Sequence, residues 1–179
     1  MMNKRYNTSN IEDISNKKIF FDANILIYLF WTTGTSWETS YAKMYSKLNT
    51  QNNTYAVDFI VISEFVNRAI RIEYEKYLKE FNLTKKDFNF KEYRDSKDGN
   101  EALEDIYEIV SAEILEKFEV VEKVYSKSTI YSLLSVDELD FSDKVIVQIC
   151  SENNCILITN DKDFKNSNIP IISCNKNLF

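Results

Sequence analysis

Two short apolar runs, Ile19-Phe20-Phe21 and Ile156-Leu157-Ile158-Thr159, each stop within two residues at an aspartate, Asp22 and Asp161. Runs this short, flanked by helix-length amphipathic stripes, read as buried strands rather than helices. After Asp22 the stretch Ala23 to Trp31 is rich in Ile, Leu and aromatic residues and reads as a buried helix. Ser36 reads as the N-cap of a second helix carrying Trp37, Tyr41, Met44, Tyr45 and Leu48 at three-and-four spacing, and the polar NTQNN closes it. Tyr55-Ala56-Val57 reads as a strand. Asp58 then caps a long helix with apolar positions Phe59, Ile62, Phe65, Val66, Ala69 and Ile70, reaching about Phe81. Leu103, Ile106, Ile109, Val110, Ile114 and Leu115 form another helical stripe, starting near Glu101, before a strand at Phe118 to Val121. A helix at about Ser128 to Leu134, a helix opening at Asp140-Phe141-Ser142-Asp143, the strand at Ile156 and a last strand at Ile171-Ile172-Ser173 complete the pattern. Strands alternating with helices predict an α/β fold built on a mainly parallel sheet.

The polar segment 82–100, NLTKKDFNFKEYRDSKDGN, interrupts this pattern and reads as an insertion or mobile helix–loop segment of a single domain spanning 1–179, with a core at about 18–174. The polar N-terminus, MMNKRYNTSNIEDISNKK, is unlike a signal sequence, and no apolar run approaches the length of a membrane span. The expectation is a cytoplasmic protein with no membrane association.

Composition enters as a set of exclusions. The chain has no His, so Ser-His-Asp and Cys-His catalysis and His-bearing metal centres are out of reach. Two glycines cannot build a Walker A loop or a dinucleotide-binding turn. Three cysteines, Cys150, Cys155 and Cys174, without CxxC spacing argue against a disulfide framework or a zinc site. The net charge of −6 supplies no global attraction for nucleic acid, so a polyanionic substrate requires a local basic patch or bound cations.

Ligands of open parallel sheets sit beyond the carboxyl ends of the strands. Asp22 and Asp161 fall there; Asp143 falls in the first turn of its helix and Glu64 in the helix after the second strand. Carboxylates crowded together repel and resist ionisation unless a cation offsets them. An all-oxygen donor set matches Mg2+ or Mn2+, which activate water and neutralise phosphodiesters. Each residue also has a local reading. Asp22 can be an N-cap, Asp140 and Asp143 can serve a helix N-terminus, Asp161 and Asp163 can form a turn, and Glu64 can pair with Arg68 at i+4.

IFFDANILIY, ISEFVNRAI and LDFSDKVIVQICSENNCILITNDKDF, in this order and separation, resemble the motifs of PIN-domain ribonucleases from about Lys18 to Ser173. The resemblance implies a three-layer α/β/α fold and Mg2+- or Mn2+-dependent cleavage of RNA. Its metal-binding and catalytic positions become Asp22, Glu64, Asp143 and Asp161, with Asp163 as a supporting ligand. Asn24 and Thr159 match accessory polar positions, Asn24 to orient Asp22 and Thr159 to bond a carboxylate or a ligand water.

Many small members of the family act as VapC-type toxins, which pair with an antitoxin that blocks the site and commonly form homodimers. The resemblance therefore extends to an antitoxin or other regulatory protein as partner. The chain departs from the compact toxin pattern in its length and in segment 82–100. There Lys85, Lys86, Lys91 and Arg94, interleaved with Phe88, Phe90 and Tyr93, suit phosphate contact and base stacking, as does Arg68 nearer the acids; the other reading is a solvated helix–loop face. A haloacid-dehalogenase-like phosphatase also starts from a strand ending in Asp, but Asn24 stands where its second Asp is required. A catalytically inactive PIN scaffold that binds RNA or protein, and a structure-specific DNA nuclease, are the remaining alternatives.

Overall fold

The computed structural model describes residues 4–179, so the first three residues of the polar N-terminal segment lie outside the described residues. In chain order the elements are β1 (Arg5–Tyr6), β2 (Lys18–Phe21), α1 (Ala23–Phe30), α2 (Ser36–Asn49), β3 (Thr54–Val57), α3 (Phe59–Glu80), α4 (Phe90–Arg94) and α5 (Lys97–Ile109). A π-turn at Val110–Ile114 leads into α6 (Leu115–Lys117), followed by β4 (Glu119–Val120), α7 (Lys127–Leu133), α8 (Phe141–Glu152), β5 (Ile156–Ile158) and β6 (Ile171–Ile172). The sheet runs β1-β6-β5-β2-β3-β4, and its pairings are parallel. This is a three-layer α/β/α arrangement. Consecutive residues of a strand face opposite sides of the sheet, yet Ile19, Phe20 and Phe21 of β2 and Ile156, Leu157 and Ile158 of β5 are all buried. Both faces of the central strands are therefore covered, as a parallel sheet with helical crossovers requires.

The register of β2 against β5 positions the site. Phe21 pairs with Ile158, so the next residues, Asp22 and Thr159, emerge side by side at the same edge, and the Asp22 N–H donates to the Ile158 carbonyl at 3.1 Å. Neighbouring β3 ends at Val57, and the next residue is Asp58, whose carboxylate accepts from the Val61 N–H at 2.9 Å and starts α3 as a side-chain cap. On the other side Asp140 caps α8, accepting from the Asp143 N–H at 2.9 Å.

Two helix starts and one strand that differ from the sequence reading have a local cause. The N-cap of α2 is Thr35 rather than Ser36, because the Glu38 carboxylate reaches back to the N–H groups of Thr33, Gly34 and Thr35 and closes the turn one residue earlier. Helix α5 starts at Lys97 rather than near Glu101, since Ser96 accepts from the Gly99 N–H at 3.2 Å and initiates a polar first turn that carries no apolar signal. The two-residue edge strand β1, hydrogen-bonded to β6, is too short for any periodicity to betray it.

Segment 82–100 is not a loop standing apart from the domain. Asn82 closes α3 in a left-handed conformation, the Tyr74 hydroxyl donates to the Phe88 carbonyl at 2.6 Å, and Tyr93 is buried. Phe90 and Tyr93 lie 5.6 Å from Tyr74 between ring centroids, and Phe88 lies 5.5 Å from Tyr77. Gly99 permits this packing: a Cβ there would stand 2.0 Å from the Tyr93 carbonyl oxygen. Among the described residues no helix is long and apolar enough to cross a membrane.

Candidate active site

Beyond the carboxyl edge of β2 and β5 opens a cleft of about 470 Å³, lined by Asp22, Asn24, Glu64, Asp140, Asp143 and Asp161 together with Phe59, Ile60, Ser63, Asn67, Arg68 and Ser142. Four carboxylates far apart in sequence, Asp22, Glu64, Asp143 and Asp161, thus share one wall-to-wall space.

Asp22 occupies the N-cap position of α1 without capping it. Its side chain is turned instead toward β5: Oδ2 accepts from Thr159 Oγ1 at 2.5 Å and from Asn24 Nδ2 at 2.6 Å. Thr159 is wholly buried and also accepts, on the same oxygen, from the Asp161 N–H at 2.9 Å. Asn24 returns a second bond, its Oδ1 accepting from the Asn160 N–H at 3.1 Å. One hydroxyl and one amide therefore tie the two acid-bearing strand ends together. Asp161 starts a 3-10 turn, Lys162–Asn166, with Oδ1 accepting from the Asp163 N–H at 3.0 Å.

Glu64 sits one turn and a half into α3 and pairs with Arg68, Oε1 to Nη1, at 3.1 Å. The i+4 pair and the cleft position coexist. Arg68 is the cation of the cleft and favours the ionised form of Asp22. Asp163 is exposed and lines a different, smaller hollow with Asp137, Glu138 and Asn166, so its side chain does not join the other acids. Of the basic residues singled out in the sequence, Arg68 lines the cleft. Lys85 is paired with Glu75 at 2.5 Å and Arg94 with its neighbour Asp95 at 2.8 Å, and neither they nor Lys86 and Lys91 line it. The aromatic rings between those lysines pack against Tyr74 and Tyr77 of α3, Tyr93 buried and Phe88 and Phe90 half-buried.

Burial and mutual repulsion leave their mark on the acids. The Asp22 carboxyl is pushed up to about 6, first by burial, against the Thr159 hydrogen bond and with the charges of Glu64 and Asp161 adding to the rise. Asp143 is pushed up to about 7, again first by burial and then by Asp140, Asp22, Asp161 and Glu64. Among the described residues no group of three or more acidic or thiol side chains is drawn together tightly enough to form a ready metal-binding group. The donor chemistry nevertheless fits a hard divalent cation. All the donors are carboxylate oxygens, Asp22 and Asp143 among them resist ionisation, and an ion that retains most of its waters needs direct bonds from only one or two of them. The Glu64 carboxylate is meanwhile engaged by Arg68 at 3.1 Å.

Several site residues were not singled out in the sequence. The Tyr41 hydroxyl stands 2.9 Å from Asn160 Oδ1 and 3.1 Å from the Thr159 carbonyl, and it accepts from the Cys174 N–H at 3.1 Å. Asn175 Nδ2 donates to the Asn160 carbonyl at 2.8 Å. This part-buried network ties together the ends of β5 and β6. The rule that found Asp22, a polar residue just past an apolar strand, applies equally to Asn160 and to Ser173-Cys174-Asn175. Asn67 lies three residues from Glu64 and four from Ser63 on α3, so helical spacing links it to both.

A family model described as PIN domain matches residues 19–169, well over half of the chain. No curated protein matches it. Among solved structures, a chain of the crystal structure of VapBC2 from Rickettsia felis bound to a DNA fragment from their promoter is similar, with a TM-score of 0.50 and 16% identity. That match covers 87% of this chain and 98% of the other. At that identity the similarity is one of fold.

Proposed function

The chain belongs to the PIN-domain family, and on that premise we propose that it is a Mg2+- or Mn2+-dependent endoribonuclease that hydrolyses RNA phosphodiesters to 5′-phosphate and 3′-hydroxyl ends. The observation that carries this reading is the convergence of Asp22, Glu64, Asp143 and Asp161 on one cleft, with Asp22 buried and oriented by two hydrogen bonds.

In this reading Asp22, Asp143, Asp161 and Glu64 hold the metal. A divalent ion there supplies charge neutralisation for the phosphodiester and a water of lowered pKa. The chain's own residues do the positioning. Thr159 and Asn24 occupy Oδ2 of Asp22 and leave Oδ1 for the cleft. Asp140, by capping α8, sets where the Asp143 carboxylate enters. Arg68 holds Glu64 and places a positive charge beside the path of a phosphate. These placements favour attack by an oriented water over covalent catalysis: Ser142, which lines the cleft, donates at 2.9 Å to the same Asp140 oxygen that caps α8, so that carboxylate is already engaged.

The biological role we propose is that of the toxin of a toxin–antitoxin pair, with an antitoxin that covers the cleft. The motif resemblance to VapC-type toxins and the shared fold with the VapBC2 structure support it.

The test is incubation of purified protein with labelled RNA and with labelled single-stranded and flap DNA, with Mg2+, with Mn2+ and with chelator, alongside Asp22→Asn and Asp143→Asn. The expected result is metal-dependent RNA cleavage that both substitutions remove. Cleavage in chelator, or full activity in both variants, refutes the assignment. RNA binding without cleavage under any metal would identify an inactive scaffold, and cleavage confined to DNA a structure-specific DNA nuclease.

A further inference from the structure

The face of α3 that walls the cleft does not end with it. Ile60, Glu64, Asn67 and Arg68 line the cleft, and Arg68, Arg71, Ile72, Glu75, Lys76 and Lys79 line an adjoining groove of about 610 Å³ floored by Ile27 and Tyr28 of α1. These positions recur at steps of three and four residues and so form one stripe of the helix, with Arg68 common to both hollows. Along the stripe the charge shifts from Glu64, which faces the other acids of the cleft, to four cations and one acid in the groove.

Hydrogen-bond and ion-pair partners sort those cations. Arg68 is engaged by Glu64 at 3.1 Å and Lys76 by Glu73 at 2.7 Å. The groove's acid, Glu75, is neutralised from outside by Lys85 at 2.5 Å. Arg71 and Lys79 are exposed and meet no carboxylate at ion-pair distance among the described residues. Arg71 lies over the Phe90 ring, 4.4 Å from its centroid, so segment 82–100 holds this cation in place. In a chain whose net charge is −6, this is a local reversal of field beside the cut site.

We propose that the α1/α3 groove carries the stretch of single-stranded RNA that leads away from the scissile phosphate, with Arg71 and Lys79 on its phosphates and Ile27, Tyr28 and Ile72 against its bases. The proposal rests on the nuclease reading and names the path of its substrate. From Arg68 to Lys79 the helix rises about 16 Å. At a stacked spacing of about 3.4 Å per nucleotide that is room for about four to five nucleotides. A strand gains from such a groove only if it is long enough to reach it, so the proposal requires length dependence.

The experiment measures binding separately from cleavage. The full-length Asp22→Asn protein is titrated, in chelator and at several salt concentrations, with fluorescein-labelled RNAs of two and of twelve nucleotides. It is compared with the same protein carrying Arg71→Glu, Lys79→Glu, both, or Arg71→Lys, with circular dichroism as the check that these exposed substitutions leave the fold intact. Expected is about tenfold weaker binding of the twelve-nucleotide RNA in the double reversal, with the salt slope reduced by about 0.7 for each phosphate no longer neutralised. Arg71→Lys should stay near the parent, and the dinucleotide should be indifferent to all four changes. In the otherwise unaltered protein with metal, the same reversals should raise KM for the long RNA and spare kcat.

Reversal variants that bind the long RNA as tightly as the parent, an unchanged salt slope, or a parent that binds no RNA would each overturn the proposal. So would a polyglutamate peptide that competes as well as RNA, which assigns the groove to an acidic protein segment. Loss of RNA binding in the reversal variants, in a protein that cuts no RNA with any metal, upholds the groove and rejects the nuclease.

Discussion

Replacing Asp22 by Asn should stabilise the metal-free protein at neutral and alkaline pH. Asp22 is fully buried among other acids, and its carboxyl is raised from an ordinary 3.8 to about 6. The folded chain therefore binds this proton more tightly than the unfolded chain does. Stability from this group is complete below about pH 4, declines as pH rises toward 6 and is lost above it. At about 1.4 kcal/mol for each tenfold change in proton affinity, keeping Asp22 ionised in the fold costs about 3 kcal/mol at pH 8. Asn remains neutral at every pH, and its carbonyl oxygen in the place of Oδ2 still accepts from Thr159 and Asn24.

The assay is urea or thermal unfolding of both proteins in chelator from pH 4 to pH 8. The difference in stability should be near zero at pH 4 and reach about 3 kcal/mol in favour of Asp22→Asn at pH 8, or about 6–12 °C in Tm. Adding Mn2+ should close that gap. The native protein gains about 2.7 kcal/mol at a metal concentration one hundred times its Kd, and the variant gains less. A variant no more stable than the native protein at pH 8, or a difference that ignores pH, would refute the view that Asp22 is held ionised at a cost which a cation offsets.

Two further substitutions probe the supports of the site. Thr159→Val removes the hydroxyl that bonds both Asp22 Oδ2 and the Asp161 N–H; the buried groups left unpaired should cost about 1–3 kcal/mol in chemical denaturation, and the Asp22 carboxyl, losing a bond that favours its charge, should titrate higher by NMR. Gly99→Ala forces a Cβ to within 2.0 Å of the Tyr93 carbonyl, so a loss of at least about 1–3 kcal/mol is expected from overpacking; an unchanged Tm would show that α4 and α5 are not packed as described.

The α/β alternation was legible because each element carries its own period: three-residue apolar runs in β2 and β5, and three-and-four stripes for α2 and α3. The acidic edge was legible for a related reason, since a strand's end marks where a side chain leaves the core, and Asp22 and Asp161 stand at such ends. Boundaries such as Lys97 were not, because the cap at Ser96 and the close contact of Gly99 with Tyr93 leave no apolar trace. Segment 82–100 read as a polar interruption because its three aromatic residues lack a period. Only their partners Tyr74 and Tyr77, one turn apart on α3, explain them.

What the sequence determined by itself is the donor chemistry, an acid set without histidine, because residue types do not depend on the fold. What only the tertiary structure decided is which acids meet. Asp143 and Asp161 entered the cleft while Asp163, two residues beyond Asp161, faces another hollow. Glu64 joined them while still paired with Arg68. Direction of a side chain from a turn, and distance between helices remote in sequence, are set by the parallel register of Phe21 on Ile158 and by the caps at Asp58 and Asp140. Those are relations between segments, and no local pattern encodes them.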